Sequence, residues 1–451
     1  MATTYLTQTP SSTSTRKKLT FSAWCKRANI NSEGMLIHAL NNSSESDGLR
    51  FYADNSLNCI LSNGNDGSVT TNRKFRDPNA FYHIMWVVDT TQGTASDRIK
   101  LYVNGIQETS FSSASYPSQD FVMEGMFVSA KPMYIGTQLD GGSGSNYFGG
   151  VMSYANIVDG TAYTPSTFGS TDSVTGQWKI NTSPSVTYGT NGSLILKNGN
   201  TITDQSGNSN NWTLAAGTLT NTEDCPSNVF ATLNPLYVIN ASQMPTLTNG
   251  NTTGTSTSSG YNSGVASIAP AGSGKYYSEH KLISGTGGWA TNTYLGYNQT
   301  PSASPTSAPH DTNFFYGVLA DGGAREGATN KAGYAGTWTS GDIIQLALDL
   351  DNNRLYVGKN GLWADGSGNW DEANINAYIN LAASPAVAGE NWFMMCGDKN
   401  TSTATWGNNF GNGYFGTTAV ASAGTNASGN GIFEYDVPTG YTALSTKGLN
   451  L

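Results

Sequence analysis

Catalysis by this chain would need side chains that can share a proton or attack a bond, and their spacing argues against both. Hydrolysis of a glycosidic bond with retention uses two carboxyl groups about 5–5.5 Å apart. On a strand, only alternate positions reach one face. Glu33, Glu45, Glu108 and Glu124 stand alone, and Asp371-Glu372 are adjacent, so a strand would turn them to opposite sides. Glu434 and Asp436 do alternate, in FEYDVP, where a solvated terminal strand is the simpler account. His38, His83, His280 and His310 lack zinc-ligand spacing. His83, mid-strand beside Trp86, reads as a hydrogen-bonded sheet histidine. No GxSxG and no P-loop occur. Cys25, Cys59, Cys225 and Cys396 form no CxxC pair and read as buried free thiols. No catalytic residue is expected, and the chain is not expected to be an enzyme.

Binding chemistry is better supplied. A sugar site sets an aromatic face against the apolar side of a pyranose and uses amides or carboxylates for its hydroxyls. Loop aromatics flanked by Asn, Asp and Gly are the candidates: Trp289, Tyr294, Tyr297, Trp363 with Asp365, Trp370 in Asn369-Trp370-Asp371, and Trp406 with Asn408. The competing reading packs these rings in a core, and it is strongest for Trp363, which ends a strand.

Such residues need a scaffold, and its period is legible. In GDIIQLALDLDNNRLYVGKNGLW (Gly341 to Trp363), Ile344, Leu346, Leu348 and Leu350 alternate with Gln345, Ala347 and Asp349, as in a strand with one buried face. Asp351-Asn352-Asn353 turns the chain, and Asn360-Gly361 suits a type I′ turn, which needs positive φ at both central residues. Phe81 to Thr109 echoes this, with Ile84, Trp86 and Val88, then Ile99, Leu101 and Val103, then Asn104-Gly105. LTFSAWCKR from Leu19 also alternates. Gly is abundant (53 of 451 residues), aromatics make up 11% and charged residues only 12%, and no dozen residues keep a helical apolar period. The expectation is an all-β chain of two tandem antiparallel β-sandwich (jelly-roll) domains. Their expected extents are 1–180 and 236–451, with 181–235 a connecting segment that either closes the first sheet or stands apart. Thr246 to Ser267 reads either as a polar linker or as a strand pair.

The balance is acidic, 31 acids against 22 bases, and the only basic run is Arg16-Lys17-Lys18. That excludes an ordinary nucleic-acid surface. No apolar run is long enough to span a membrane, and the N-terminus has no export-signal pattern. The first 18 residues are polar and read as an extended arm.

LTFSAWCKR, FYHIMWVVDTT…DRIKLYVNGIQET, MYIGT and YFGGVMSYANIVDG resemble, in that order, a laminin-G-like, concanavalin A-like jelly roll, with Tyr82 where a Trp is usual. GKYYSEHKL, GYAGTWTSGDIIQLALDLDNNRLYVGKNGLW and FEYDVPTGYTAL resemble a SPRY domain, with long inserts at Ala364 to Ala386 and Gly411 to Gly431. The pair, joined by NNWT…TLNPL, is similar to virion structural proteins of tailed phages from aquatic environments. The resemblance implies a fibre, spike or capsid decoration protein that adheres to host-surface glycan. It also implies other virion proteins as partners, a homo-oligomeric state, and release by lysis without a signal peptide. A purely structural role joining virion subunits, or a polysaccharide depolymerase, are the alternatives. Laminin-G-like domains often bind calcium through loop aspartates, which makes Asp140 and Asp159 candidate ligands; no other cofactor is implied.

Overall fold

Alternating apolar residues do form paired layers, and in a computed structural model they do so twice. The structure describes all residues except 1–2, 43–44, 141–142, 198, 200, 238–243, 257–260, 271, 287–292, 300–312, 385 and 400–402, together with the side chains of 140, 261, 286 and 399. The chain divides into two units, Met1–Asn221 and Thr222–Leu451. No described helix is long and apolar enough to cross a membrane.

In the first unit an eight-stranded sheet runs in the order Phe111–Ser115, Gly67–Lys74, Ser56–Leu61, Glu45–Phe51, Gly34–Asn42, Met133–Ile135, Tyr5–Gln8 and Thr213–Ala216. A six-stranded sheet runs Ser193–Ile195, Gly150–Asp159, Lys18–Arg27, Phe81–Asp89, Ile99–Val103 and Ile106–Gln107. Leu19, Phe21, Ala23 and Cys25 meet Ile84, Trp86 and Val88 in the core between them, as the alternation requires. Asn104 and Gly105 both take positive φ at the predicted hairpin turn (50° and 80°). The connecting segment supplies an edge strand to each sheet: Ser193–Ile195 pairs with Gly150–Asp159, and Thr213–Ala216 with Tyr5–Gln8. Tyr5–Gln8 is therefore a strand inside the sheet and not a free arm.

In the second unit, a sheet runs Thr246–Thr248, Thr253–Thr255, Thr403–Asn409, Lys275–Thr286, Ile343–Asp349, Arg354–Lys359, Leu362–Ala364 and Trp370–Glu372. A six-stranded sheet (Tyr261–Val265, Phe393–Lys399, Tyr294–Asn298, Phe315–Leu319, Ala324–Glu326, Thr329–Lys331) packs against it. Between the described strands pairing is antiparallel except where Thr442–Ala443 runs parallel to Lys275–Thr286, and the isolated bridge Asn412–Ile432 is also parallel. Thr246 to Ser267 thus contains paired strands. Ile344, Leu346, Leu348 and Leu350 enter the core as expected, and Asn360 and Gly361 take positive φ (51° and 89°).

Both faces of Ile343–Asp349 are buried, where one was expected. The reason is a returning C-terminal segment, in which Phe433, Val437 and Tyr441 pack on Tyr277, Ala347, Tyr356 and Trp363. Residues 433–437 are not the strand that FEYDVP suggests, because the N–H groups of Glu434 and Tyr435 donate to the buried Glu279 carboxylate (2.7 and 2.8 Å). The Tyr277 hydroxyl also donates to Glu279 (2.9 Å). Burial pushes the Glu279 carboxyl up to about 7 against the pull of these donors.

The first unit repeats the device. Asp47, fully buried, accepts the backbone N–H groups of Gly125 (2.7 Å), Met126 (2.9 Å) and Ser62 (3.1 Å). Gly125 passes so close to the sheet that a Cβ would lie 2.3 Å from the Ala39 carbonyl oxygen. Removing the carboxylate strands three buried donors, so Asp47→Ala should lower stability by about 3 kcal/mol or more, read as a fall in the urea midpoint. Gly125→Ala should destabilise as well, through the clash rather than the lost bonds. An Asp47→Ala midpoint equal to wild type would contradict the clamp.

Candidate functional site

Most of the aromatics singled out from the sequence point inward. Tyr294 and Tyr297 are fully buried, Trp363 is 4% exposed and Trp406 is 2% exposed. The Tyr294 hydroxyl bonds to the Asn262 carbonyl (3.0 Å) and to Ser263 Oγ (2.5 Å). Trp406 lies against Trp338, ring centroids 5.4 Å apart. Asn408 is buried between His280 Nδ1 (2.8 Å) and the Thr252 carbonyl (3.0 Å). These rings and this amide serve the core, because their strands are covered on both sides. Trp289 lies outside the described residues.

Two of the named residues share a surface. Asp365 folds its own loop, accepting the N–H groups of Ser367 (2.6 Å) and Asn369 (3.0 Å) and the Asn369 side-chain amide (2.9 Å). Those bonds, the Asn369 amide first, hold its carboxyl below the usual range. Trp370, half-buried at the other end of that loop, donates its indole N–H to the Gly336 carbonyl (2.8 Å). A Cβ on Gly336 would sit 2.8 Å from Trp370 Cδ1, so the close approach needs glycine. Lys359 Nζ lies 5.9 Å from the ring centroid and donates to the Thr337 carbonyl (3.0 Å). The result is a fixed, partly exposed indole beside a cation.

The calcium candidates end different strands. Asp159 is 4% exposed, and its Oδ2 accepts the Asn191 backbone N–H (3.3 Å) and side-chain amide (3.0 Å). Asp140 ends the strand Gln138–Asp140, and its side chain lies outside the described residues. Among the described residues no group of three or more His, Cys, Asp or Glu could hold a metal ion. Glu434 and Asp436 act as turn caps: Glu434 accepts the Ala421 N–H (2.7 Å), and Asp436 accepts the Thr425 N–H (2.6 Å). The run Arg16-Lys17-Lys18 is tied down locally, by the Met123 carbonyl (3.0 Å), Asp120 (3.0 Å) and Asp89 (3.2 Å).

Sequence reasoning missed a second surface, on the outer side of the eight-stranded sheet. Leu49 and Phe51 face the core and Arg50 between them faces out, as Asn58 does between Leu57 and Cys59. Arg50 is held in plane by Asn58 Oδ1 (3.2 Å), Gln138 Oε1 (3.3 Å) and the Tyr52 hydroxyl (3.0 Å). Its guanidinium lies 4.6 Å from the Tyr52 ring centroid. Asn146 donates to the same Gln138 oxygen (2.9 Å), and Glu33 sits 3.7 Å from Arg50. Next to them the Tyr5 ring meets Tyr134 and Tyr147, each at 6.3 Å between centroids. Arg50, Tyr52, Gln138, Asn146, Tyr5 and Tyr147 are all partly exposed. Polar residues at alternate positions of consecutive strands were the available signal for Arg50 and Asn58. Nothing local in the sequence marks Tyr5 and Tyr147 as neighbours.

One buried constellation looks catalytic and is wired otherwise. His83 Nε2 lies 2.8 Å from Ser22 Oγ, and the Trp178 indole N–H donates to His83 Nδ1 (3.1 Å). An indole only donates, so Nδ1 must be the acceptor and Nε2 carries the proton towards Ser22. A histidine in that state cannot take the serine's proton. The contact instead docks the hairpin Gly169–Thr171/Trp178–Ile180 on the sheet.

The family described as the concanavalin A-like lectin/glucanases superfamily (Laminin_G_3) matches residues 2–167. No curated protein matches the chain in sequence. Among solved structures, the SPRY domain of human HERC1 is 15% identical, over 38% of this chain and 90% of that one, with a TM-score of 0.27. Domains LG4-5 of the mouse laminin α1 chain are 8% identical, over 96% and 92%, with a TM-score of 0.28. The CBM40 of Ruminococcus gnavus IT-sialidase, solved bound to α2,3-sialyllactose, is 15% identical, over 30% and 71%, with a TM-score of 0.23. At these identities and scores none of the three bears on what this chain binds.

Burial lowers the pKa of His83 to about 3. The unfolded histidine titrates near 6.5, so between these values the unfolded chain holds a proton that the folded one does not. Stability from this group is therefore complete above pH 6.5 and lost as pH falls towards 3. Going from pH 7.5 to 4.5, wild type should lose about 2 kcal/mol more than His83→Gln, measured by urea unfolding at both pH values. Equal losses would show that His83 is not held neutral.

Proposed function

We propose that this chain is a glycan-binding protein exposed on a tailed-phage particle, where it contributes to adhesion to the host surface. The observation that carries the reading is the Arg50 cluster. A guanidinium, two amides and a row of tyrosine rings stand partly exposed on one sheet face, within the span that matches a lectin-containing family. Planar donors and acceptors beside aromatic faces are the chemistry that sugar hydroxyls and pyranose faces select. The particle setting is supported by the order of the two sandwiches, laminin-G-like and then SPRY-like. It is also supported by a surface rich in Ser, Thr, Asn and Gly.

The Trp370 surface of the second unit is the alternative place for the same activity. Its indole is fixed by the Gly336 carbonyl and flanked by Lys359. Affinity is modest where one shallow face is involved, so the assay must reach millimolar ligand.

The test is calorimetric titration of the full chain with soluble host-surface polysaccharides, preceded by an array screen. Binding at the first face should weaken about tenfold in Arg50→Gln, about 1.4 kcal/mol, and remain unchanged in Trp370→Ala. The reverse pattern assigns the site to the second unit. No binding to any glycan at millimolar concentration overturns the proposal.

A further inference from the structure

Strand Phe111–Ser115 is the outermost strand at one end of the eight-stranded sheet and, among the described residues, pairs only with Gly67–Lys74. Ser112, Ser113, Ala114 and Ser115 are all exposed. The free side of an edge strand presents unpaired N–H and C=O groups. Proteins usually guard such an edge with charge, proline, brevity or a covering segment. Phe-Ser-Ser-Ala-Ser contains neither charge nor proline. Its one irregularity, a register shift between Phe111 and Ser113, leaves Ser113, Ala114 and Ser115 in regular pairing with Thr70, Val69 and Ser68. Several other edges among the described residues are better guarded, though Thr213–Ala216 and Thr246–Thr248 are uncharged too. Thr329–Lys331 ends in a lysine, Trp370–Glu372 carries two acids, Ile106–Gln107 is two residues long, and Ser193–Ile195 is buried.

The cations beside the strand do not repel an approaching chain. Arg73 is paired with Glu108 (3.0 Å) and Lys74 with Asp54 (2.5 Å). We propose that this edge is an interface with a second copy of the chain, in which the two Phe111–Ser115 strands pair antiparallel about a two-fold axis. The strand suits itself in that arrangement. With Ser113 on the axis, Ser112 faces Ala114 and Phe111 faces Ser115, so each pair includes a small side chain. The Phe111 ring already packs on its own core. An isologous contact of this kind closes on itself and gives a dimer rather than a fibre. Joined this way, the two sheets become one of sixteen strands. The two Arg50 clusters then lie on the same side, roughly 34 Å apart from seven strand spacings of about 4.8 Å. The pairing holds whether or not that face binds glycan.

The full chain tests this in sedimentation equilibrium at tens of micromolar. Wild type should approach twice the 47.6 kDa protomer mass. Ala114→Lys, and separately Ser113→Lys on the opposite side of the strand, should return it to the single-chain mass and abolish any rise of the urea midpoint with protein concentration, while remaining cooperatively folded. Leu214→Lys, on the uncharged edge Thr213–Ala216 at the other end of the sheet, should remain dimeric. A wild-type mass of one protomer overturns the proposal. So does a dimer that survives both strand variants, or one that only Leu214→Lys dissolves.

Discussion

The architecture depends on buried carboxylates that accept the peptide N–H groups of segments folding back over a sheet. A sandwich made only of alternating strands would leave its outer faces to solvent. Here, irregular segments are laid on the sheets as well: 161–192 and the C-terminal segment cover outer faces, and 117–132 packs Met123, Met126 and Phe127 into the core of the first unit. Irregular backbone laid on an apolar sheet has donors that the sheet cannot satisfy. Asp47 takes three such donors, Glu279 takes two and a tyrosine hydroxyl, and the half-buried Asp204 takes those of Leu194, Ser206 and Asn210. Each carboxylate does for a loop what a ladder does for a strand. The same burial that makes these bonds strong raises the Asp47 and Glu279 pKa values, so the clamps are under tension from desolvation.

This explains what the sequence could and could not show. Period two is a local property, and it correctly placed Leu19, Phe21 and Ala23, and again Ile344, Leu346 and Leu348, on core faces. The turns at Asn104-Gly105 and Asn360-Gly361 were legible because only a few residue types tolerate positive φ. Where the irregular segments would pack was not legible, since that is decided by contacts far apart in sequence. Glu279 meets Glu434 and Tyr435 across more than 150 residues, and Asp47 meets Gly125 across 78. Once the C-terminal cover closes, Trp363 becomes a core residue, and Trp406 lies in the core between the sheets, although their Asn- and Gly-rich neighbourhoods look like those of surface loops. The strand at Tyr5–Gln8 was hidden for the same reason: four residues among Thr and Gln gain their place only from partners at Met133–Ile135 and Thr213–Ala216.

Covering the sheets also narrows where recognition can occur. The rings committed to cores leave other aromatics at the surface, among them the Tyr5–Tyr147–Tyr52 row around Arg50 and the indole of Trp370. Both are held by contacts that do not involve a ligand. Arg50 has three acceptors around its guanidinium, and Trp370 is locked by a carbonyl and by the absence of a Cβ at Gly336. Side chains that are already ordered lose little entropy when a ligand arrives, which matters most for shallow sites with few contacts.

The same reasoning separates these surfaces from the buried histidines. His38 lies under the outer face beside Tyr134, and neither ring nitrogen meets a partner among the described residues. Burial, and then the charge of Arg50, lower its pKa to about 4, so it stays neutral and adds no charge to the face above it. His83 and His280 are neutral for the same primary reason, burial, but their ring nitrogens are bonded. Among the described residues, Arg50 therefore sets the charge of the Tyr52–Gln138–Asn146 surface, opposed by Glu33 at 3.7 Å. A ligand that displaces Glu33 meets a guanidinium with its plane already fixed, and one that cannot displace it meets a nearly neutral face. On the proposed reading, selectivity at this surface is a competition between the ligand and a carboxylate of the protein itself.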